Sequence, residues 1–422
     1  MRSLKSELAV LVLAAAIVCA PGDAAAYSVL THEANIDALW DSGIRPLLSR
    51  KFPRATPEEL RHARAFAYGG SVIQDLGYYP FGSHFFSNLV HYVRTGDFVD
   101  AMIREARDVD EYAFALGALA HYAADNAGHP EAVNKAVALM FPKLRAKYGD
   151  AITYEQSPAT HVLVEFSFDV VQAAAGAYAS EAYHDFIGFE VAKPLLERTF
   201  HDVYGLEMNE VFLTEDLAIG SYRRSISDTI PAITRIAWRD KRDVIQNVMP
   251  GMARERFVFR LSRRDYERDF GRDYRRPGLL TRFLSLLYRL LPKIGPLRPL
   301  KFAAPTPAAE TLFLASFTDA RERYRTALEA ARQGRLSLAN TNFDTGKPSA
   351  HGEYALADDT YAELLDRLAS RQFADVPPAL QRNIAAFYGS APDRMSGKKE
   401  RKRIEKIRRQ LASLRHEDHG RH

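Results

Sequence analysis

Apolar and polar positions recur with helical spacing through much of the chain, and the stretch from Tyr27 to about Tyr183 is also rich in alanine. Segments such as THEANIDALW (31–40), PEELRHARAFAYGG (57–70), FVDAMIREARDVDEYAFALGALAHYAAD (98–125) and HVLVEFSFDVVQAAAGAY (161–178) carry this pattern. No alternating β-branched run of strand type interrupts them. The region therefore reads as an all-α multi-helix bundle, with loops expected near Gly69, Gly77, Gly82 and Gly149. Helical patterns continue through EVAKPLLERTFHDVY (190–204) and SYRRSISDTIPAITRIAWRD (221–240) to about Val248, where the composition shifts. Residues 252–301 are rich in arginine and leucine, LANTNFDTGKPSAHGEY (338–354) is rich in turn formers, and SGKKERKRIEKIRRQLASLRH (396–416) is a basic run. We expect a domain over residues 27–248, a mainly helical C-terminal extension over 249–395 and a basic tail over 396–422. No internal repeat is evident.

The first 26 residues break the pattern in another way. Arg2 and Lys5 precede an apolar stretch from Leu8 to Ala20, and the small residues Ala24, Ala25 and Ala26 follow, which is the layout of a secretory signal peptide. The apolar stretch is short for a membrane span, and the later stretch 278–297 is interrupted by Arg282, Arg289 and Lys293. The expectation is a secreted or periplasmic protein with no transmembrane span. Cleavage after Ala26 would remove the one cysteine, Cys19, so disulfides and thiolate ligands are excluded from the processed chain. A lipid anchor on Cys19 is the competing reading, although Val18 before it is bulkier than such signals usually carry.

Composition adds two constraints. With 422 residues, 47% of them hydrophobic and 11% aromatic, the chain can build substantial cores. Its formal net charge of +4 is a mild bias that predicts no nucleic-acid partner by itself.

The candidate chemistry lies in the alanine-rich region, where His32, His84, His91, His121, His129 and His161 stand among carboxylates. His121, Asp125 and His129 are spaced four apart; on an α-helix each step turns about 400°, so successive side chains lie only about 40° apart and form one row. His161 and Glu165 repeat the spacing, the loop before the first row offers Asp75 and His84, and His32 follows Tyr27 by five residues. Imidazole and carboxylate are the ordinary non-thiolate donors for zinc. Several pairs in one region are harder to dismiss than one, since a lone pair at helical spacing is more often structural.

The order GSVIQD, SHFF, HYAADNAGH and HVLVE in a chain with a processed N-terminus resembles the zinc-dependent phospholipase C family, a relative of the S1/P1-type nucleases. The resemblance covers about residues 27 to 180, and HxxxDxxxH is its most specific element. It implies a helical bundle holding three zinc ions. One would be held by the α-amine and carbonyl of Tyr27, by His32 and by Asp125. A second would be held by Asp75, His84, His121 and Asp125, and the third by His129, His161 and Glu165. His84 is preferred over His91 because SHFF fits the family pattern, whereas NLVHYV has the look of a helix-buried histidine. Two departures stand out: Tyr27 replaces a frequent tryptophan, and Leu76 follows Asp75 where phosphocholine-preferring members carry an aromatic residue.

The implied reaction is hydrolysis of a phosphoric ester by metal-activated water, with Asp75 as the catalytic residue that orients or deprotonates the water. A phospholipid or another phosphodiester is the expected substrate, with peripheral membrane contact through the leucine- and arginine-rich stretch 278–301 as a weaker reading than ordinary packing. The alternatives are an S1/P1-type nuclease, under which nucleic acid becomes the substrate, and a catalytically silent zinc-stabilised binding protein. The sequence NTNFDTGKP lacks phosphate-loop spacing and reads as a turn. His184, His201 and His351 have no spaced partners and are expected to bond locally or face solvent, while His416, His419 and His422 offer only adventitious metal binding.

Overall fold

A computed structural model of the chain describes residues 29–175, 189–224, short pieces between 238 and 258, 303–389 and 398–419. The expected signal segment, Tyr27, His184, His422 and the stretch 278–301 lie outside the described residues.

The all-α expectation holds. Helix α1 (Val29–Leu39) passes through a π-helical turn, Trp40–Ile44, into α2 (Arg45–Lys51). Then come α3 (Pro57–Val72), a 3-10 turn at Ile73–Tyr78, α4 (His84–Tyr92), α5 (Thr95–Glu105) and α6 (Val109–Gly128). A π-helical turn at His129–Val133 joins α6 to α7 (Asn134–Met140), followed by α8 (Pro142–Tyr148) and α9 (Pro158–Ala175). After α10 (Lys193–Tyr204), α11 (Met208–Val211) and α12 (Glu215–Arg224), the described chain resumes with α13 (Pro307–Arg332). The only strands among the described residues, β1 (Thr341–Asn342) and β2 (Lys347–Pro348), pair antiparallel. Helices α14 (Ala355–Ser370), α15 (Pro378–Gly389) and α16 (Lys398–His419) complete the order.

Local chemistry sets the ends of the central helices. Thr56 and Glu59 form a reciprocal capping box at the start of α3, with Pro57 in the first turn, where its missing N–H costs nothing. Asp108 caps α6 by accepting from Glu111 N at 2.8 Å.

Helices α3 and α6 touch backbone to backbone. A Cβ on Gly117 of α6 would lie 2.0 Å from the Ala67 carbonyl oxygen, and one on Gly70 of α3 would lie 1.9 Å from that of Phe114. Gly69, expected in a loop, is helical for a related reason: its bare Cα admits the Glu190 backbone. Gly77 lies in the 3-10 turn and Gly149 follows α8 with φ 95°, a conformation that favours glycine.

The π-helical turn after α6 has a visible cause. Pro130 lacks an N–H to donate to the carbonyl of Asn126, and that carbonyl instead accepts from Arg323 Nη1 on α13 at 3.2 Å. Helix α13 lies along α6, where Tyr324 Oη donates to Leu116 O at 2.9 Å, and its Phe313 stacks on Phe168 of α9 at 4.5 Å. The basic run at the C-terminus forms α16, which docks on α14 through Lys406 to Asp366 at 2.7 Å and Arg403 to Asp359 at 2.6 Å. No helix among the described residues is long and apolar enough to cross a membrane.

Candidate metal centre

The row expected on one helix face lies buried at the C-terminal end of α6 and in the π-helical turn after it. His121 Nε2 is 3.1 Å from Asp125 Oδ2, and His129 Nε2 is 4.0 Å from the same oxygen. Four other elements converge on it. Helix α1 brings His32, whose Nε2 is 3.5 Å from Asp125 Oδ1 and whose ring stacks on His121 at 4.2 Å. The start of α1 is held by Asp169 of α9, which accepts from Leu30 N at 2.8 Å and Thr31 N at 2.9 Å, two amides that the helix itself leaves unpaired. The 3-10 turn brings Asp75, α4 brings His91, and α9 brings His161 and Glu165 in contact at 2.9 Å. Asp75 was expected in a loop; the chain remains helical there, in a tighter turn directly after α3.

Of the two competing histidines, the structure brings His91 and not His84 into the cluster. His91 Nε2 is 3.4 Å from both Asp75 Oδ1 and Asp125 Oδ2, whereas His84 opens α4 half-buried, its ring 5.9 Å from that of Tyr78. On this geometry His91, and not the preferred His84, belongs to a candidate donor group. Leu76 is buried in the core.

Three donor groups result, each with its ligand atoms within 4.8 Å of one another: His32, His121 and Asp125; Asp75, His91 and His121; His129, His161 and Glu165. His121 is shared by the first two, and Asp125 faces His32, His91 and His121.

Hydrogen bonds fix how the rings present their nitrogens. His121 Nδ1 donates to Ser71 O at 2.9 Å, a reach made available by the close α3–α6 crossing, and His91 Nδ1 donates to Ser87 O at 2.7 Å. A carbonyl can only accept, so each neutral ring carries its proton on Nδ1 and turns the Nε2 lone pair toward the aspartates. His161 is held the other way round: Nε2 donates to Asn134 Oδ1 at 2.7 Å and Ile152 O at 3.1 Å, leaving Nδ1 facing Glu165.

These donors fit zinc. At bond lengths of about 2.0–2.2 Å, two donors on a tetrahedral zinc lie roughly 3.3–3.6 Å apart, and the nitrogen-to-oxygen separations around Asp125 run from 3.1 to 4.0 Å. Both Asp125 oxygens and Asp75 Oδ1 are buried without a hydrogen-bond donor meeting them. The electrostatics also call for positive charge. Burial, then Asp75, Asp125 and Asp344, raise Glu165 well above the usual carboxylate range. Burial alone would lower His91, but Asp125 and Asp75 outweigh it and lift the ring to about 9. Burial takes His161 down to about 3, which keeps it neutral.

One residue at the cluster was not expected. The segment NTNFDTGKP does turn, between β1 and β2, but it buries Asp344 with Oδ1 at 3.2 Å from His129 Nδ1. Burial raises Asp344 to about 7. Its local sequence offers no repeat or spacing that points to His129. His201 sits 3.3 Å from Asp202, a local contact as expected, whereas the His351 ring lies against Phe387 and Tyr388, far along the chain, with its Nδ1 buried and without a hydrogen-bond partner among the described residues.

Residues 31–213 match the family model described as zinc dependent phospholipase C. Comparison with curated proteins and with solved structures gives no match.

Proposed function

Residues 31–213 belong to the zinc-dependent phospholipase C family, and from that premise we propose that the chain is a zinc-dependent phosphoesterase that hydrolyses a phospholipid phosphodiester by attack of water. The observation that carries this reading is the convergence of buried donor groups on Asp125.

Three zinc ions fit the donor sets. His32 and Asp125, with the α-amine and carbonyl of Tyr27 in a chain processed after Ala26, would hold the first. Asp75, His91, His121 and Asp125 would hold the second, and His129, His161 and Glu165 the third. Zinc bound there supplies a nucleophilic water at neutral pH and neutralises phosphate charge. The protein's own part is positional. Asp75 is the carboxylate placed to orient that water and accept its proton. Asp125 keeps three imidazoles in register, and the Ser71 and Ser87 carbonyls hold His121 and His91 in the tautomer that presents Nε2. Export through the expected signal segment would place the site outside the cytoplasm.

Metal analysis by mass spectrometry on the processed protein, purified without tag or chelator, tests the reading together with a hydrolysis assay on phospholipid vesicles. About three zinc ions per chain with release of a phosphorylated head group is expected. Zinc with cleavage of single-stranded nucleic acid instead would point to the nuclease alternative. Zinc without hydrolysis of either would leave a metal-stabilised binding protein.

A further inference from the structure

We propose that Asp344, in the turn between β1 and β2, is the positioning residue that fixes the tautomer of His129 for metal binding. This rests on the zinc-site reading above and adds to it a part of the chain beyond the matched residues 31–213.

Three of the candidate ligand histidines are oriented from within that matched segment: His121 by Ser71, His91 by Ser87, and His161 by Asn134 and Ile152. His129 differs. Its Nδ1 lies 3.2 Å from Asp344 Oδ1, close but not aligned as a hydrogen bond, and neither buried atom has a hydrogen-bond partner among the described residues. In its ionised form Asp344 offers lone pairs only, so it is the acceptor nearest the Nδ1 proton, and with that proton held there Nε2, on the side of Asp125, is left free to bind a metal.

Asp344 is itself held on every side. Its Oδ2 accepts from Tyr354 Oη at 2.8 Å and Tyr154 N at 2.9 Å, and its backbone N–H donates to Asn342 Oδ1 at 2.9 Å. Its carbonyl accepts from Asn134 Nδ2 at 2.9 Å, which turns Asn134 Oδ1 toward His161. The same turn thus orients both histidines of the third donor group, one directly and one through Asn134. The turn is anchored on the bundle, with Phe343 N donating to His91 O at 3.1 Å and the Phe343 ring 5.3 Å from that of His91.

Asp344→Asn is the informative variant. Tyr354 Oη and Tyr154 N both donate to the Oδ2 position, so the asparagine oxygen stays there and its NH2 group faces His129. His129 Nδ1 must then accept, and the proton moves to Nε2, where it blocks the metal. Nitrogen-15 imidazole spectra of the metal-free full-length chain, with His129 assigned by a His129→Gln difference, are expected to show this switch. Chelator competition on the zinc-loaded chain is expected to show one ion bound about 10–100-fold more weakly and the others unchanged. Tyr354→Phe is the control, because it removes one hydrogen bond to Asp344 and leaves the His129 contact in place.

An unchanged tautomer in Asp344→Asn overturns the proposal, and so does unchanged zinc affinity. Equal loss of zinc in Tyr354→Phe also overturns it, since the effect would then be structural. Should the wild-type chain bind no zinc, the function proposed above fails, while the metal-free spectra still decide whether Asp344 sets the tautomer.

Discussion

Gly117→Ala tests the helix crossing on which the candidate site depends. The new Cβ would lie 2.0 Å from Ala67 O and 2.8 Å from Ser71 N, both backbone atoms of α3 that no side-chain rotation can move aside. Ordinary contact starts at 3.4 Å, so the helices must part by roughly 1.4 Å. Alanine gains about 1 kcal/mol of helix propensity over glycine, while overpacking a tight interface costs about 1–3 kcal/mol or more. Because both contacted atoms are backbone, the cost lies at the upper end of that range and the clash wins, by about 2 kcal/mol or more. A second consequence follows from position: His121 stands one turn beyond Gly117, and its 2.9 Å bond to Ser71 O would stretch past the hydrogen-bond limit if the helices separated by that amount. Urea denaturation should show a lower midpoint, and metal analysis should show weaker zinc binding at the donor groups that share His121. Gly220→Ala on α12 is the control, because nothing lies within 4 Å of its Cβ position; this variant should gain up to about 1 kcal/mol. If Gly117→Ala behaves like Gly220→Ala and keeps its full zinc, the backbone contact between α3 and α6 is wrong.

His91→Ala should lose zinc and activity, whereas His84→Ala should keep its zinc stoichiometry; metal analysis showing the reverse would restore His84 as the ligand. One extra residue ahead of Tyr27 in the processed chain should lower activity strongly and leave the circular dichroism unchanged, and unaltered activity would remove the α-amine from the site. Burial raises Glu215 to about 7 from an ordinary 4.5, against the pull of Lys193. The folded state therefore binds that proton more tightly than the unfolded state; the stabilisation is complete below about pH 4.5 and is lost as pH rises through 7. Glu215→Gln should flatten the fall in stability across this window in urea titrations at stepped pH, and a slope equal to wild type would refute the assignment.

How much of this was legible beforehand depends on whether a feature is local. The row His121, Asp125, His129 could be read because helix periodicity and donor chemistry coincide in one short segment, and the pair His161 and Glu165 for the same reason. The choice between His84 and His91 could not be read this way. They are seven residues apart, about two turns, so both project on one side of α4 and differ by roughly 10 Å along its axis. Only the depth of α4 in the bundle separates them, and depth is set by packing that no spacing encodes. Gly69 was misread because a glycine looks the same whether it relieves a turn or admits another backbone, and here Glu190 supplies the backbone. Asp344 is the extreme case. A lone aspartate among turn formers reads as a turn residue, and it is one; its second role exists because α13 and the β1–β2 hairpin fold back over α6. Donors that share a helix announce themselves by spacing, whereas the groups that hold those donors come from wherever the fold can reach. For this reason a family match ending at residue 213 can cover the candidate ligands among the described residues and still leave out the residue that orients one of them.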